Sequence, residues 1–159
     1  MERWPEPVER VASALRTSGV DGRVEEFPQG TPTAALAAEA VGCAPAQIVK
    51  SLLFICDGRP TLALVPGDRR ADAQKVAAAA DAKKARVGSP EEVLAATGFE
   101  PGGVAPFPAP GVARILIAHE LLAHEHVWVG AGSDRHMAGL APVDLLRLTN
   151  AVPADLSDQ

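Results

Sequence analysis

A chain of 159 residues, 47% of them hydrophobic, has the length of one domain and enough apolar side chains to build a real core. Its net charge of −5 argues against a broad basic surface wrapped on a nucleic-acid duplex, which needs clustered Lys and Arg, but leaves room for a small local contact. No window approaches the roughly 20 unbroken apolar residues of a membrane span, and "MERWPEPVER" lacks the basic-then-apolar order of a signal peptide, so a soluble cytoplasmic protein is expected.

From the N-terminus, Val8, Val11, Ala12 and Leu15 recur at helical spacing and predict a packing helix over about residues 5–18, closed by Gly19. "RVEEF" is a short strand candidate. In "TPTAALAAEAVG", Thr31 reads as the N-cap, Pro32 as the first helical residue and Gly42 as the stop. "IVKSLLFICDGRPTLALVPGD" reads as two strands joined at Asp57-Gly58, a dipeptide that supplies the positive φ angles of a tight hairpin. The apolar run from Leu52 to Cys56 predicts burial on both faces.

"DAQKVAAAADA" predicts an Ala-rich helix, and "SPEEVLAATG" another with Ser89, Pro90 and Glu92 in a capping-box pattern ended by Gly98. "FEPGGVAPFPAPG", with four Pro and three Gly, predicts a rigid irregular loop. Strand character resumes in "VARILIAH" and "HVWVGAG"; "APVDLLRLTNA" closes the fold as a helix, and a polar tail follows Pro153. No repeat, low-complexity block or long linker divides the chain, so one domain over residues 1–159 is expected, of mixed α/β (α+β-like) class without strict βαβ alternation. Cys43 and Cys56 form no CxxC pair and read as reduced core filler.

Four constellations carry chemistry. Only four of the 15 basic residues are lysines, and one of them, Lys50, sits inside an apolar strand. Alternation puts Ile48, Lys50, Leu52, Phe54 and Cys56 on one face, so the ammonium either snorkels or forms an ion pair at the strand's mouth, or projects into a cavity toward an anionic or carbonyl ligand. Adjacent Gly102 and Gly103 either form a plain turn or leave backbone N–H groups free to cradle a carbonyl oxygen. In "VGAGSDRH", Gly130 and Gly132 follow a strand and His136 follows them; a neutral imidazole there either orients a substrate group or water, or is structural. "HELLAHEH" hints at a metal through His119, His124 and His126, but HExxH spacing is missing and only His124 and His126 would align, on a strand. Walker, GxSxG and dinucleotide patterns are all missing, and no cofactor is expected.

Taken in order, "GTPTAALAAEAVGCAPAQIVKSLLF", "LALVPGDRRAD", "EEVLAATGFEPGGVAPF" and "GAGSDRHMAGLAPVDLLRLTNA" closely resemble the YbaK/EbsC family, relatives of the editing domain inserted in bacterial prolyl-tRNA synthetases; the likeness spans about residues 27–151. The resemblance implies a central mixed β-sheet flanked by helices. It also implies hydrolysis in trans of the ester of a mischarged aminoacyl-tRNA, tRNA(Pro) carrying a small wrong amino acid such as Cys or Ala. In that light Lys50 matches the family's pocket lysine, Gly102 and Gly103 the pocket loop whose amides contact the aminoacyl carbonyl, and His136 the pocket histidine of several relatives. Phe27, Thr31, Ser51, Pro106, Phe107, Gly130 and Gly132 complete the implied substrate-binding set, and no metal or cofactor is implied. Ser51 lies where family branches differ, which leaves Ala, Cys, Ser, Thr or a non-protein amino acid open, and His119 stands where many relatives carry an acid. Partners implied are the aminoacyl-tRNA acceptor end, with prolyl-tRNA synthetase or another translation factor supplying affinity. The rival reading is a non-hydrolytic module that binds an aminoacyl-adenylate, a tRNA 3′ end or a translation partner through the same pocket.

Overall fold

The structure is a computed structural model that describes residues 4–158. Its first element, α1 (Glu6–Ser18), buries Val8, Val11, Ala12 and Leu15 on one stripe and ends at Gly19 in the left-handed conformation that glycine adopts without steric cost. That stripe packs on β6 (Val127–Ser133). Strand β6 pairs antiparallel with β7 (His136–Leu140), and β7 with β1 (Arg23–Glu26), making a three-stranded sheet. A register shift between Gly130 and Ser133 bulges β6 just before its turn.

The larger sheet has five strands. Its centre is the hairpin of β2 (Val49–Cys56) and β3 (Arg59–Pro66), with Asp57 at φ 50° and Gly58 at φ 82°, as the Asp-Gly turn requires. The Asp57 carboxylate accepts the backbone N–H groups of Lys83 and Lys84 at 2.9 and 3.1 Å, which holds its pKa below the usual carboxylate value and ties the turn to the next crossover. Strand β4 (Ala85–Val87) pairs antiparallel with β2, whereas β5 (Arg114–Ala118) lies parallel to β3 and β8 (Val152–Ala154) parallel to β5. Mixed strand direction and flanking helices match the expected mixed α/β class. The two sheets meet beside β2, where an isolated parallel bridge joins Ile48 to Trp128.

Helix α2 (Ala34–Val41) starts two residues later than the sequence pattern suggests. Thr33 is its N-cap, accepting the Leu36 N–H at 3.1 Å, while Thr31 donates both its N–H and its hydroxyl to the Asp134 carbonyl, at 2.8 and 3.3 Å. A tertiary tie thus displaces the local cap. Helix α3 (Ala73–Ala79) is capped by Asp72, and α4 (Pro90–Thr97) carries the full Ser89–Glu92 capping box. Arg86 grips Glu92 with two bonds of 2.8 and 2.9 Å, holding that carboxyl down at about 2.

After α5 (Pro142–Thr149) the expected polar tail is instead structural: β8 extends the sheet, and Leu156 is fully buried against Val76 and Leu116. His119 opens a 3-10 turn, and His124 and His126 lie in the connection before β6, so neither is on a strand as expected. Among the described residues no group of three or more His, Cys, Asp or Glu side chains is placed to hold a metal ion, and no helix is long and apolar enough to cross a membrane. Cys56 is buried and Cys43 half-buried, both as free thiols.

Candidate functional site

A cavity of about 350 Å³ opens at the junction of the two sheets, between the start of β2, the start of α2 and the β6–β7 hairpin. That is the lower end of the roughly 300–1,000 Å³ of small-molecule sites. Its wall is largely apolar, with Ile48, Leu52 and Met137 among the lining groups. Among the described residues no Asp or Glu lines it, and the titratable side chains that do are Lys50 and His136.

Lys50 stands at the second position of β2 and is half-buried. Its ammonium donates to the backbone carbonyl of Arg69, in the loop that follows β3. Burial pushes its pKa below the ordinary 10.5; Asp68 opposes the shift and Arg70 reinforces it. The carbonyl is thus a partner, and it takes only one of three N–H donors. The carbonyl's loop is itself fixed by the C-terminal segment. Leu156 accepts the Asp72 N–H at 2.8 Å, Asp158 donates its N–H to the Arg70 carbonyl at 3.1 Å, and Glu120 joins Arg69 (3.8 Å) to the Ser157 hydroxyl (2.9 Å).

Ser51, next in β2, also lines the cavity, and its Oγ is buried with no hydrogen-bond partner among the described residues. A buried polar atom left unpaired costs about 1–3 kcal/mol, a penalty that a ligand group can remove.

The glycine loop contributes differently from a pair of equal donors. Gly103 donates its N–H to the Glu100 carbonyl at 2.9 Å, and a Cβ there would strike the Ser133 backbone at 2.8 Å, so Gly103 supplies close approach. Gly102, at φ +91° and exposed, lines the cavity, and its N–H makes no hydrogen bond to the described residues. One N–H of the pair is therefore left without a partner among the described residues, on a residue that lines the cavity.

His136 begins β7 with its side chain 6% exposed. Its Nδ1 lies 2.6 Å from Ser133 Oγ, its Nε2 3.9 Å from the Glu26 carboxylate, and the Trp4 ring meets it edge-on at 5.2 Å. Burial lowers its pKa below 6.5, Glu26 and Asp134 opposing and Arg135 assisting, so the ring is neutral near pH 7.

Of the remaining residues singled out in the sequence, Thr31 and Gly130 line the cavity. Phe27 packs edge-on against Trp128 at 6.3 Å, in a small cluster with Ile48 and Met137. Phe107 and Pro106 do not reach the cavity: both are buried, and Phe107 belongs to the main core. Gly132, at φ +100°, is where α1 approaches, and a Cβ there would meet the Pro7 backbone at 2.7 Å. Ser133 and Met137 line the cavity without any local motif that marks them; the Ser133-to-His136 spacing across a hairpin was the available signal.

Residues 28–148 match the family model described as "Aminoacyl-tRNA editing domain". The chain belongs to that family. Among its relatives, YwhH of Bacillus subtilis is 34% identical over 123 residues, 77% of this chain and 78% of that protein. EbsC of Enterococcus faecalis, named as a candidate Cys-tRNA(Pro)/Cys-tRNA(Cys) deacylase, is 29% identical across 76% of this chain and 74% of its own. A proline–tRNA ligase of Solidesulfovibrio magneticus is 39% identical over 108 residues, 67% of this chain, which spans only 18% of the ligase. A solved structure described as a candidate trans-editing enzyme for prolyl tRNA synthetase superposes with a TM-score of 0.91 at 37% identity, covering 99% of this chain and 100% of that one. The superposition over nearly the whole of both chains shows that the two sheets are the architecture of that fold.

Proposed function

We propose that this protein is a trans-editing deacylase that cleaves the ester of mischarged tRNA, tRNA(Pro) carrying a small wrong amino acid such as Cys or Ala. The observation that carries the reading is the half-buried ammonium of Lys50 in the wall of a small cavity that, among the described residues, no carboxylate lines. Such a cation, with two donors to spare, suits the electron-rich acceptor end of an aminoacyl-tRNA. The Gly102 N–H polarises the aminoacyl carbonyl. Water oxygen bonds to the carbonyl carbon, negative charge passes to the carbonyl oxygen, and the bond to the ribose oxygen breaks as that oxygen takes a proton. Ser51 Oγ meets a polar atom of the aminoacyl side chain or its amine. Among the described residues no carboxylate lines the cavity, and the substrate's own hydroxyl takes the part of assisting water. The molecule's acidity fits a grip confined to the acceptor end, with prolyl-tRNA synthetase or another translation factor supplying further tRNA affinity.

The test is loss of ester from tRNA(Pro) charged separately with Ala, Cys, Ser and Pro, with Lys50→Met as control. Wild type should release one wrong amino acid selectively. Lys50→Met should lose at least about a hundredfold, the scale of one preorganised electrostatic donor, while its thermal midpoint holds or rises because a desolvated charge is gone. Equal turnover by the variant would refute the reading. Saturable binding with every ester intact would favour the non-hydrolytic module, which the scarcity of bases in the cavity also allows.

A further inference from the structure

We propose that Ser133 is a positioning residue that locks His136 in the tautomer bearing its proton on Nε2, so that the imidazole faces substrate as a hydrogen-bond donor and not as a base. Three contacts point to that direction of bonding. Ser133 Oγ accepts the Arg135 backbone N–H at 3.0 Å, and among the described residues its hydroxyl proton has one acceptor within reach, Nδ1 at 2.6 Å. Nδ1 is then the acceptor. On the far side of the ring, the Glu26 carboxylate stands 3.9 Å from Nε2, where it favours a proton on that nitrogen but is too distant to hold it in a hydrogen bond. The ring has little freedom to turn, since it is 6% exposed, is braced edge-on by Trp4 and sits opposite Ser133 in the β6–β7 register.

The two groups are held by backbone pairing, not by chance rotamers. Ser133 and His136 are cross-strand partners at the end of the hairpin, beyond the bulge that starts at Gly130. Both line the cavity, as does Gly130. Asp134 and Arg135 occupy the turn between them, one of each charge sign. The Nε2–H is thereby left without a hydrogen-bond acceptor among the described residues, on a ring that lines the cavity, and is free to donate to an ester carbonyl, a ribose hydroxyl or the attacking water. This inference rests on the deacylase reading for the identity of the acceptor, but the tautomer itself is a property of the free protein.

The experiment uses full-length protein labelled with ¹⁵N-histidine and long-range ¹H–¹⁵N correlation at a pH where the ring is neutral, His136→Gln identifying the resonance. The expected wild-type spectrum shows one tautomer, protonated at Nε2. Ser133→Ala should add a detectable Nδ1–H population and lower kcat about five- to tenfold, the size of one hydrogen bond's net contribution, with KM nearly unchanged; Ser133→Thr should restore both. Protonation at Nδ1 in the wild type overturns the proposal, as does an unchanged tautomer in Ser133→Ala. Because the spectrum needs no substrate, a protein that hydrolyses no ester would fail the deacylase reading and leave the tautomer result standing.

Discussion

His136 shows how far one side chain's surroundings reach. Burial lowers its pKa below 6.5, so as pH falls through that value the unfolded chain takes up a proton that the folded chain resists. Stability present above about pH 6.5 is therefore lost as pH drops toward the folded-state value, and His136→Gln should remove that slope. Urea titrations at about pH 7.5 and pH 5 measure it: the wild type should lose more stability between them than the variant, and parallel losses would count against the burial argument. Lys50 was readable from sequence because a charge interrupts an otherwise apolar run, and strand alternation can accommodate it only at a mouth or a cavity. Ser133 was not, because its meaning lies in a cross-strand register with His136 that no local pattern encodes. Phe107 differs: the resemblance puts it in the substrate-binding set, while the residue is 2% exposed and belongs to the main core, a placement that its proline-rich loop does not encode.

Elements tell the same story through their lengths. The β2–β3 hairpin, the capping box of α4 and the apolar stripe of α1 were legible because each rests on contacts within a few residues. The three-residue strands β4 and β8 were not, because pairing with distant partners defines them. Pro153 is admissible in β8 since that strand lies at the sheet's edge. The segment after β8 is the clearest case: its polar letters conceal a fully buried Leu156 and the bonds that hold the Arg69–Asp72 loop. Leu156→Ala should cost about 2–5 kcal/mol in a denaturant titration, and should weaken turnover beyond that loss by loosening the carbonyl on which Lys50 rests. A variant that is destabilised yet turns over normally in the folded state would separate the loop from the site.

At the scale of the whole molecule, the net charge of −5 sets how a nucleic acid can be held. If only the acceptor end is gripped, few counterions are released, and with about −0.7 per phosphate for a single strand the slope of log kcat/KM against log salt should be no steeper than about −2. Assays from about 50 to 200 mM salt decide this, and a slope several times larger would require a basic tRNA-binding face instead.

The two sheets keep separate ladders, joined by the bridge from Ile48 to Trp128 and by a shared core in which Val49, Leu62, Leu64 and Ile117 of one cluster with Val127, Val129, Ala138 and Leu140 of the other. A seam backed by fully buried side chains parts only when that shared core opens, so its amides should exchange with solvent no faster than those of either ladder. The cavity's width is therefore set by side-chain packing, and a group seated between Ser51 of β2 and Gly130 of β6 meets walls of fixed separation that sort it by size.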